Sequence, residues 1–129
     1  IVRVSLIGKS KKSKKDLLTW FLYKKNFVNG FANHYWNGIT TLEWCKKINY
    51  LVLNNKNALK SAKLLHLGTK KKYSKYEMLN IFKGIFKKKI KIKKTNMNFS
   101  NKCLIPDAFS PNLEQQLIEF KSQSYFKNL

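Results

Sequence analysis

Apolar positions along the chain come in short runs, and their spacing switches between that of strands and that of helices. Ile1 to Ile7 is β-branched and apolar and ends at Gly8, which predicts a short buried strand and a turn. Lys9 to Lys15 is almost entirely Lys and Ser. From Asp16 to Lys25, the residues Leu17, Leu18, Phe21 and Leu22 recur at helical spacing. Asn26 to Gly30 sets turn residues around an apolar pair, a second short strand with its loop. From Thr40 a stripe of Leu42, Cys45, Ile48, Leu51 and Val52 predicts a helix, with Thr40 or Thr41 as cap and Glu43 in the first turn. Asn54 to Asn57 interrupts it, Ala58 to Leu67 is helix-prone again, and Gly68 breaks the pattern.

Ser74 followed by Glu77 forms a capping box, after which Met78, Leu79, Ile81, Phe82, Ile85 and Phe86 give an apolar helix face. Lys87 to Lys94 alternates Lys with Ile and reads either as a basic helical tail or as extended chain. Asn96 to Lys102 is a polar linker, and Leu104 to Phe109 is a short apolar segment interrupted by Pro106. Pro111, Asn112 and Glu114 open a last helix that buries Leu113, Leu117, Ile118 and Phe120 and frays from Lys121 onward. The expected fold class is α/β in a single domain. Residues 1–39 and 96–129 form the α/β body, and 40–95 form an inserted pair of antiparallel helices.

Charge changes this picture most. In 129 residues there are 27 Lys plus Arg against 6 Asp plus Glu, a net charge of +21, while a hydrophobic fraction of 43% suffices for a core. Self-repulsion at that charge favours a polyanionic partner, and phosphate is the commonest. Arg3 is the only arginine. Lysine is a hydrated point charge without the arginine fork, so the lysines suit phosphate positioning better than base reading. The Lys, Asn, Ile and Phe richness resembles AT-biased coding, as in a mitochondrial or plastid genome. Cys45 and Cys103 are isolated, so no zinc site is expected. No run approaches roughly 18 to 20 apolar residues, and the lysines from Lys9 onward do not read as a secretory signal.

The densest motif is Asn33-His34-Tyr35-Trp36-Asn37-Gly38, followed by Trp44. Its rings either pack on the body or stack on a base. The Asn-His-x-Trp-x-Gly spacing with its later Trp resembles the bacterial-type family of small-subunit ribosomal protein S-two. Ile1 to Lys12, Asp16 to Ala32, Ser74-Lys75-Tyr76-Glu77-Met78-Leu79 and Ile105-Pro106-Asp107-Ala108 are similar to further segments of that family, in its order. The family's opening and closing portions are absent. The resemblance implies a partial flavodoxin-like three-layer body with a protruding helical hairpin, near the head–body junction of an organellar small ribosomal subunit. It implies rRNA and neighbouring ribosomal proteins as partners, other polypeptides supplying the missing ends, and neither membrane nor small-molecule substrate.

On that reading the candidate RNA contacts are Lys9, Lys11, Lys12, Lys14, Lys15, His34, Tyr35, Lys70, Lys71, Lys72, Lys87, Lys88 and Lys89. Gly8-Lys9-Ser10 is similar to the end of a P-loop, but the glycine five residues earlier is missing, so it reads as a basic loop. The acids Asp16, Glu43, Glu77, Asp107, Glu114 and Glu119 are scattered, and neither His34 nor His66 has a nucleophile beside it. No enzyme, cofactor or metal is expected. The alternative is a lysine-rich organellar scaffold binding other RNA or an anionic membrane surface.

Overall fold

The computed structural model describes residues 1–54, 56–61 and 64–123. Its elements follow in the order β1 (Val2–Arg3), β2 (Leu6–Ile7), α1 (Leu17–Tyr23), β3 (Phe27–Phe31), β4 (His34–Trp36), β5 (Ile39–Thr40), α2 (Thr41–Asn54), α3 (Lys56–Ser61), β6 (Leu65–Thr69), β7 (Tyr73–Ser74), α4 (Lys75–Ile85), β8 (Lys91–Thr95), β9 (Ser100–Asn101), β10 (Ala108–Ser110) and α5 (Leu113–Ser122). The architecture is α/β, a partial Rossmann- or flavodoxin-like fold. The expected fraying from Lys121 falls partly on residues 124–129, outside the described residues.

Three helices start where side chains satisfy amides that no helix bond can reach. Asp16 accepts from Thr19 N at 2.9 Å, and Asn112 accepts from Gln115 N at 3.0 Å. Ser74 and Glu77 close the reciprocal box, with Glu77 N donating at 3.1 Å and Ser74 N donating to the Glu77 carboxylate at 2.7 Å. Helix α4 ends at Ile85 with Phe86 as its cap, and the next residue, Lys87, has a left-handed φ of 50°.

Pairing is mainly parallel. β6 lies between β1 and β10, β2 pairs with β5, and β3 pairs with β8 over five residues. β4 lies between β7, antiparallel, and β9, parallel. Two bonds tie the small sheets together. Ile39 N donates to the Ser5 carbonyl at 2.9 Å, and Thr69 N donates to the Asn37 carbonyl at 2.8 Å, which sets the entry of β5 beside the end of β6. The core joins α1, α4 and α5 through Leu18, Phe21, Leu79, Phe82, Leu113 and Leu117, all without exposed surface.

Two expectations change. Residues 40–95 are not a pair of antiparallel helices, because β6, β7 and β8 lie within that span and pair with β1, β4 and β3 of the body. Leu65 to Leu67 sits in a strand rather than a helix: parallel neighbours on both sides outweigh local helix preference. Gly68 permits this, since a Cβ there would lie 2.7 Å from the Asn37 carbonyl oxygen. Of the two readings of Lys87 to Lys94, the extended one holds from Lys91. The period of two turns Ile92 inward while Lys91 and Lys93 stay exposed.

Candidate functional site

The carboxyl ends of the parallel strands are where an open α/β sheet offers a crevice, because the following loops diverge there and the next helix presents its N-terminus. Here β6 ends at Thr69 and runs into Lys70-Lys71-Lys72, while its parallel neighbour β10 ends at Ser110 and runs through Pro111 and Asn112 into α5. Between them lies a cavity of about 270 Å³ lined by Thr69, Lys70, Lys71, Ser110 and Asn112.

The lining residues carry polar side chains along with their aliphatic stems, and the polar groups are only partly satisfied. The Thr69 hydroxyl bonds the Lys71 carbonyl at 2.8 Å and the Asn37 carbonyl at 3.2 Å. Ser110 is only 9% exposed, and its hydroxyl oxygen has no partner among the described residues. At the start of α5, Leu113 N donates to the Tyr73 hydroxyl at 3.0 Å, Gln115 N donates to Asn112, and Gln116 N donates to the Asn112 carbonyl. That leaves the Glu114 amide as the first-turn N–H without a described partner. Lys71 lies 3.9 Å from the Glu77 carboxylate and over the Tyr73 ring at 4.8 Å. The Lys70 ammonium engages no side chain among the described residues.

Tyr73 underpins this corner from below. Its ring is fully buried, and its hydroxyl also donates to the Glu114 carboxylate at 3.2 Å. Burial is the main cause that pushes its phenol above the ordinary value, and the Glu114 and Glu77 charges add to it. A raised folded-state pKa stabilises the fold below the ordinary phenol value, and that contribution is lost as pH rises through the shifted value. Absorbance titration of the folded protein should show one late-ionising tyrosine that is missing in Tyr73→Phe. A variant titration superimposable on the parent would show that Tyr73 is not held this way.

The lysine loop after β2 lies at the same end of its strand but is built differently. Four of its amides are already engaged by side chains of the loop itself or of α1. Ser10 N donates to the Thr19 hydroxyl at 2.9 Å. Lys12 N and Ser13 N both donate to the Ser10 hydroxyl, at 3.3 and 2.9 Å, and Lys15 N donates to the Ser13 hydroxyl at 3.2 Å. The Lys14 ammonium lies over the Tyr23 ring at 4.2 Å, and partial burial lowers the Lys9 pKa. Lys11 and Lys12 are exposed.

The remaining predicted contacts are dispersed. His34 Nε2 lies 2.7 Å from the Asn98 carbonyl and its ring packs on Phe31, while Tyr35 faces Phe99. Lys88 donates to the Leu22 carbonyl at 2.7 Å, away from the crevice lysines in sequence and in fold. Lys87 follows the cap of α4, and Lys89 opens the approach to β8. The structure therefore brings Lys70 and Lys71 to one site and leaves the other candidates elsewhere. Ser110 and Thr69 escaped notice because an isolated Ser or Thr in a short strand carries no signal. Asn112 is legible as a helix opener, not as a wall of a crevice.

A larger hollow of about 380 Å³ lies between α4 and α5, lined by Ile81, Ile85 and Ile118. Its polar side chains are already engaged: Asn80 with the Tyr76 carbonyl, Lys121 with the Ile85 carbonyl and Glu114 with Tyr73. It offers less chemistry than the smaller crevice. Among the described residues no three His, Cys, Asp or Glu gather to hold a metal.

The architecture matches solved enzymes. A dTDP-4-dehydrorhamnose reductase from Bacillus anthracis, in complex with NADP, superimposes with a TM-score of 0.73 at 13% identity, over 92% of this chain and 46% of the reductase. The corresponding reductase from Clostridium acetobutylicum gives 0.70 at 11%, over 92% and 46%. A UDP-N-acetylglucosamine 4-epimerase from Methanobrevibacter ruminantium, in complex with UDP-N-acetylmuramic acid, gives 0.63 at 15%, over 99% and 46%. This chain shares their fold. It spans about half the length of each. No family model and no curated protein matches it.

These findings overturn the ribosomal reading. The S-two resemblance, the rRNA and ribosomal-protein partners and the exclusion of a small-molecule ligand all give way to a fold shared with nucleotide-sugar reductases and an epimerase. The fold is one that enzymes use, against the expectation of no enzyme. The motif behind the resemblance has packing work to do. Asn33 bonds both the carbonyl and the amide of Met97, Trp36 donates its indole N–H to the Ser5 hydroxyl at 2.6 Å, and Asn37 ties β6 to Leu104.

The NADP of the first neighbour does not fit the corresponding loop here. A dinucleotide turn of the form Gly-x-Gly-x-x-Gly needs bare backbone amides facing the pyrophosphate. Here those positions are Gly8, Ser10 and Ser13. The Ser10 hydroxyl already accepts from Lys12 N and Ser13 N, and the start of α1 is capped by the Asp16 carboxylate. The Ser10, Lys12 and Ser13 amides, donors that a pyrophosphate would need, already donate to the chain's own oxygens.

Proposed function

We propose that this chain is the nucleotide-binding part of an enzyme, taking a phosphate-bearing nucleotide at the carboxyl edge of its parallel strands. The observation that carries this reading is the cationic crevice where β6 and β10 end, with Lys70 and Lys71 beside the N-terminus of α5. A helix N-terminus carries about half a positive charge, and ammonium groups at its mouth strengthen its pull on a phosphate. The fold supports the reading, because its solved neighbours bear the names of nucleotide-sugar enzymes or hold nucleotide ligands. Fold alone does not confer the activity.

Calorimetric titration with UDP tests the proposal, with uridine as the phosphate-free control. UDP should bind and uridine should not. UDP affinity should fall as salt rises from about 0.05 to 0.3 M, because the attraction is screened over roughly 8 Å at physiological ionic strength. Lys70→Ala with Lys71→Ala should weaken UDP at least tenfold, the loss of about 1.5–3 kcal/mol expected for a charged hydrogen bond. Equal binding of uridine and UDP, or no UDP binding at millimolar concentration, would contradict it.

A further inference from the structure

We infer that the terminal phosphate of that ligand sits in the β6–β10 crevice, on the Ser110 hydroxyl and the Lys70 ammonium where Asn112 opens α5, and not on the loop after the first strand. This rests on the nucleotide-binding reading and deepens it by naming the site and the ligand class: a mononucleotide phosphate in place of a dinucleotide pyrophosphate.

Three observations converge on the crevice. Ser110 is nine-tenths buried, lines the cavity and has a hydroxyl with no partner among the described residues. A buried polar group without a partner is costly, so a hydroxyl kept in this state calls for an acceptor from outside. Helix α5 is ten residues long, its N-cap Asn112 lines the cavity, and the first-turn amide of Glu114 has no partner among the described residues. Lys70 completes the set as a cation on the cavity wall that engages no side chain among the described residues. A phosphate satisfies a hydroxyl, an amide and an ammonium together, because each of its oxygens accepts more than one hydrogen bond. The nearby carboxylates do not close the site: Glu77 faces Lys71, and Glu114 is held by the Tyr73 hydroxyl.

The first loop is the natural rival, and its Ser10, Lys12, Ser13 and Lys15 amides are occupied. Ser10 stands at the second glycine position of the dinucleotide turn, and its hydroxyl gathers the Lys12 and Ser13 amides. Ser10 N is itself taken by Thr19.

The test compares UDP, inorganic phosphate and NADPH on the 129-residue chain and on Ser110→Ala, Lys70→Ala and Ser10→Ala. Ser110→Ala and Lys70→Ala should each weaken UDP about tenfold. Ser10→Ala should leave UDP affinity within twofold. Inorganic phosphate should compete with UDP, which separates recognition of the phosphate from recognition of the nucleoside. NADPH should bind no tighter than UDP. Ser110→Ala should melt no lower than the parent, since it removes a hydroxyl with no partner among the described residues, so its loss of affinity is not a loss of structure. UDP binding that ignores Ser110 and Lys70, tight NADPH binding abolished by Lys11→Ala with Lys12→Ala, or failure of phosphate to compete would each overturn the assignment while leaving a nucleotide-binding domain. Absence of UDP binding would instead overturn the broader reading, and this one with it.

Discussion

Gly38→Ala should lose at least about 3 kcal/mol of stability and leave little folded protein at 37 °C. A Cβ at Gly38 would lie 2.0 Å from the Ser5 carbonyl oxygen and 2.5 Å from the Trp36 ring. The Ser5 carbonyl is backbone, so no rotamer change relieves the collision. It is also the acceptor for Ile39 N at 2.9 Å, the bond that leads into the β2–β5 pair. The methyl group therefore drives apart the two strands that the bond holds together. A typical domain has only about 5–15 kcal/mol in total, so one such change is a large fraction of it. Gly84→Ala is the internal control. It lies in α4 with nothing within 4 Å of the added carbon, so it should gain up to about 1 kcal/mol from helix preference. Urea unfolding of both variants checks the pair. Equal stability of Gly38→Ala and the parent would show that β2 and β5 do not approach this closely.

Phe82→Ala should cost about 3–5 kcal/mol. Phe82 has no exposed surface and projects from α4 into the cluster formed with α1 and α5. Its ring meets Phe21 at 5.8 Å between centroids, tilted by 57°, an arrangement that adds about 0.5–1.5 kcal/mol beyond burial. Removing the ring leaves a void between elements held by other fully buried residues, Leu18, Leu79 and Leu117, which limits collapse into it. Thermal and urea unfolding should agree on the loss, and Phe82→Leu should restore most of it. A loss below about 1 kcal/mol would mean that α4 does not form the centre of the core.

Much of this core was legible in the sequence, because α4 announces itself twice. The Ser74–Glu77 box fixes its start, and Met78, Leu79 and Phe82 mark the buried face at helical spacing. The Asp16 and Asn112 helices were legible for the same reason: a capping residue precedes an apolar stripe. The strands were harder. β6 is five residues of mixed character after a helix-prone stretch, and its identity comes from parallel neighbours remote in sequence. That misplacement produced the expected helical hairpin across 40–95.

The candidate site was half legible. Lys70 and Lys71 stood out as charge, but nothing local brought them to Ser110, about forty residues away in the chain and next to them only through β6–β10 pairing. The Asn33-to-Gly38 motif misled in the opposite way. Its density suggested recognition of a partner, whereas its polar groups bind the chain itself: Asn37 reaches Thr69 and Leu104, Trp36 reaches Ser5, and His34 reaches Asn98. A close backbone approach such as Gly38 demands particular residues as strictly as a binding site does.

The most direct test of the central claim is a map of amide chemical shifts during titration of the labelled chain with UDP. Shifts concentrated at Lys70, Lys71, Ser110 and Glu114, saturating together, are the predicted result. Shifts spread evenly over the exposed lysines, or centred on the loop from Lys9 to Lys15, would contradict it.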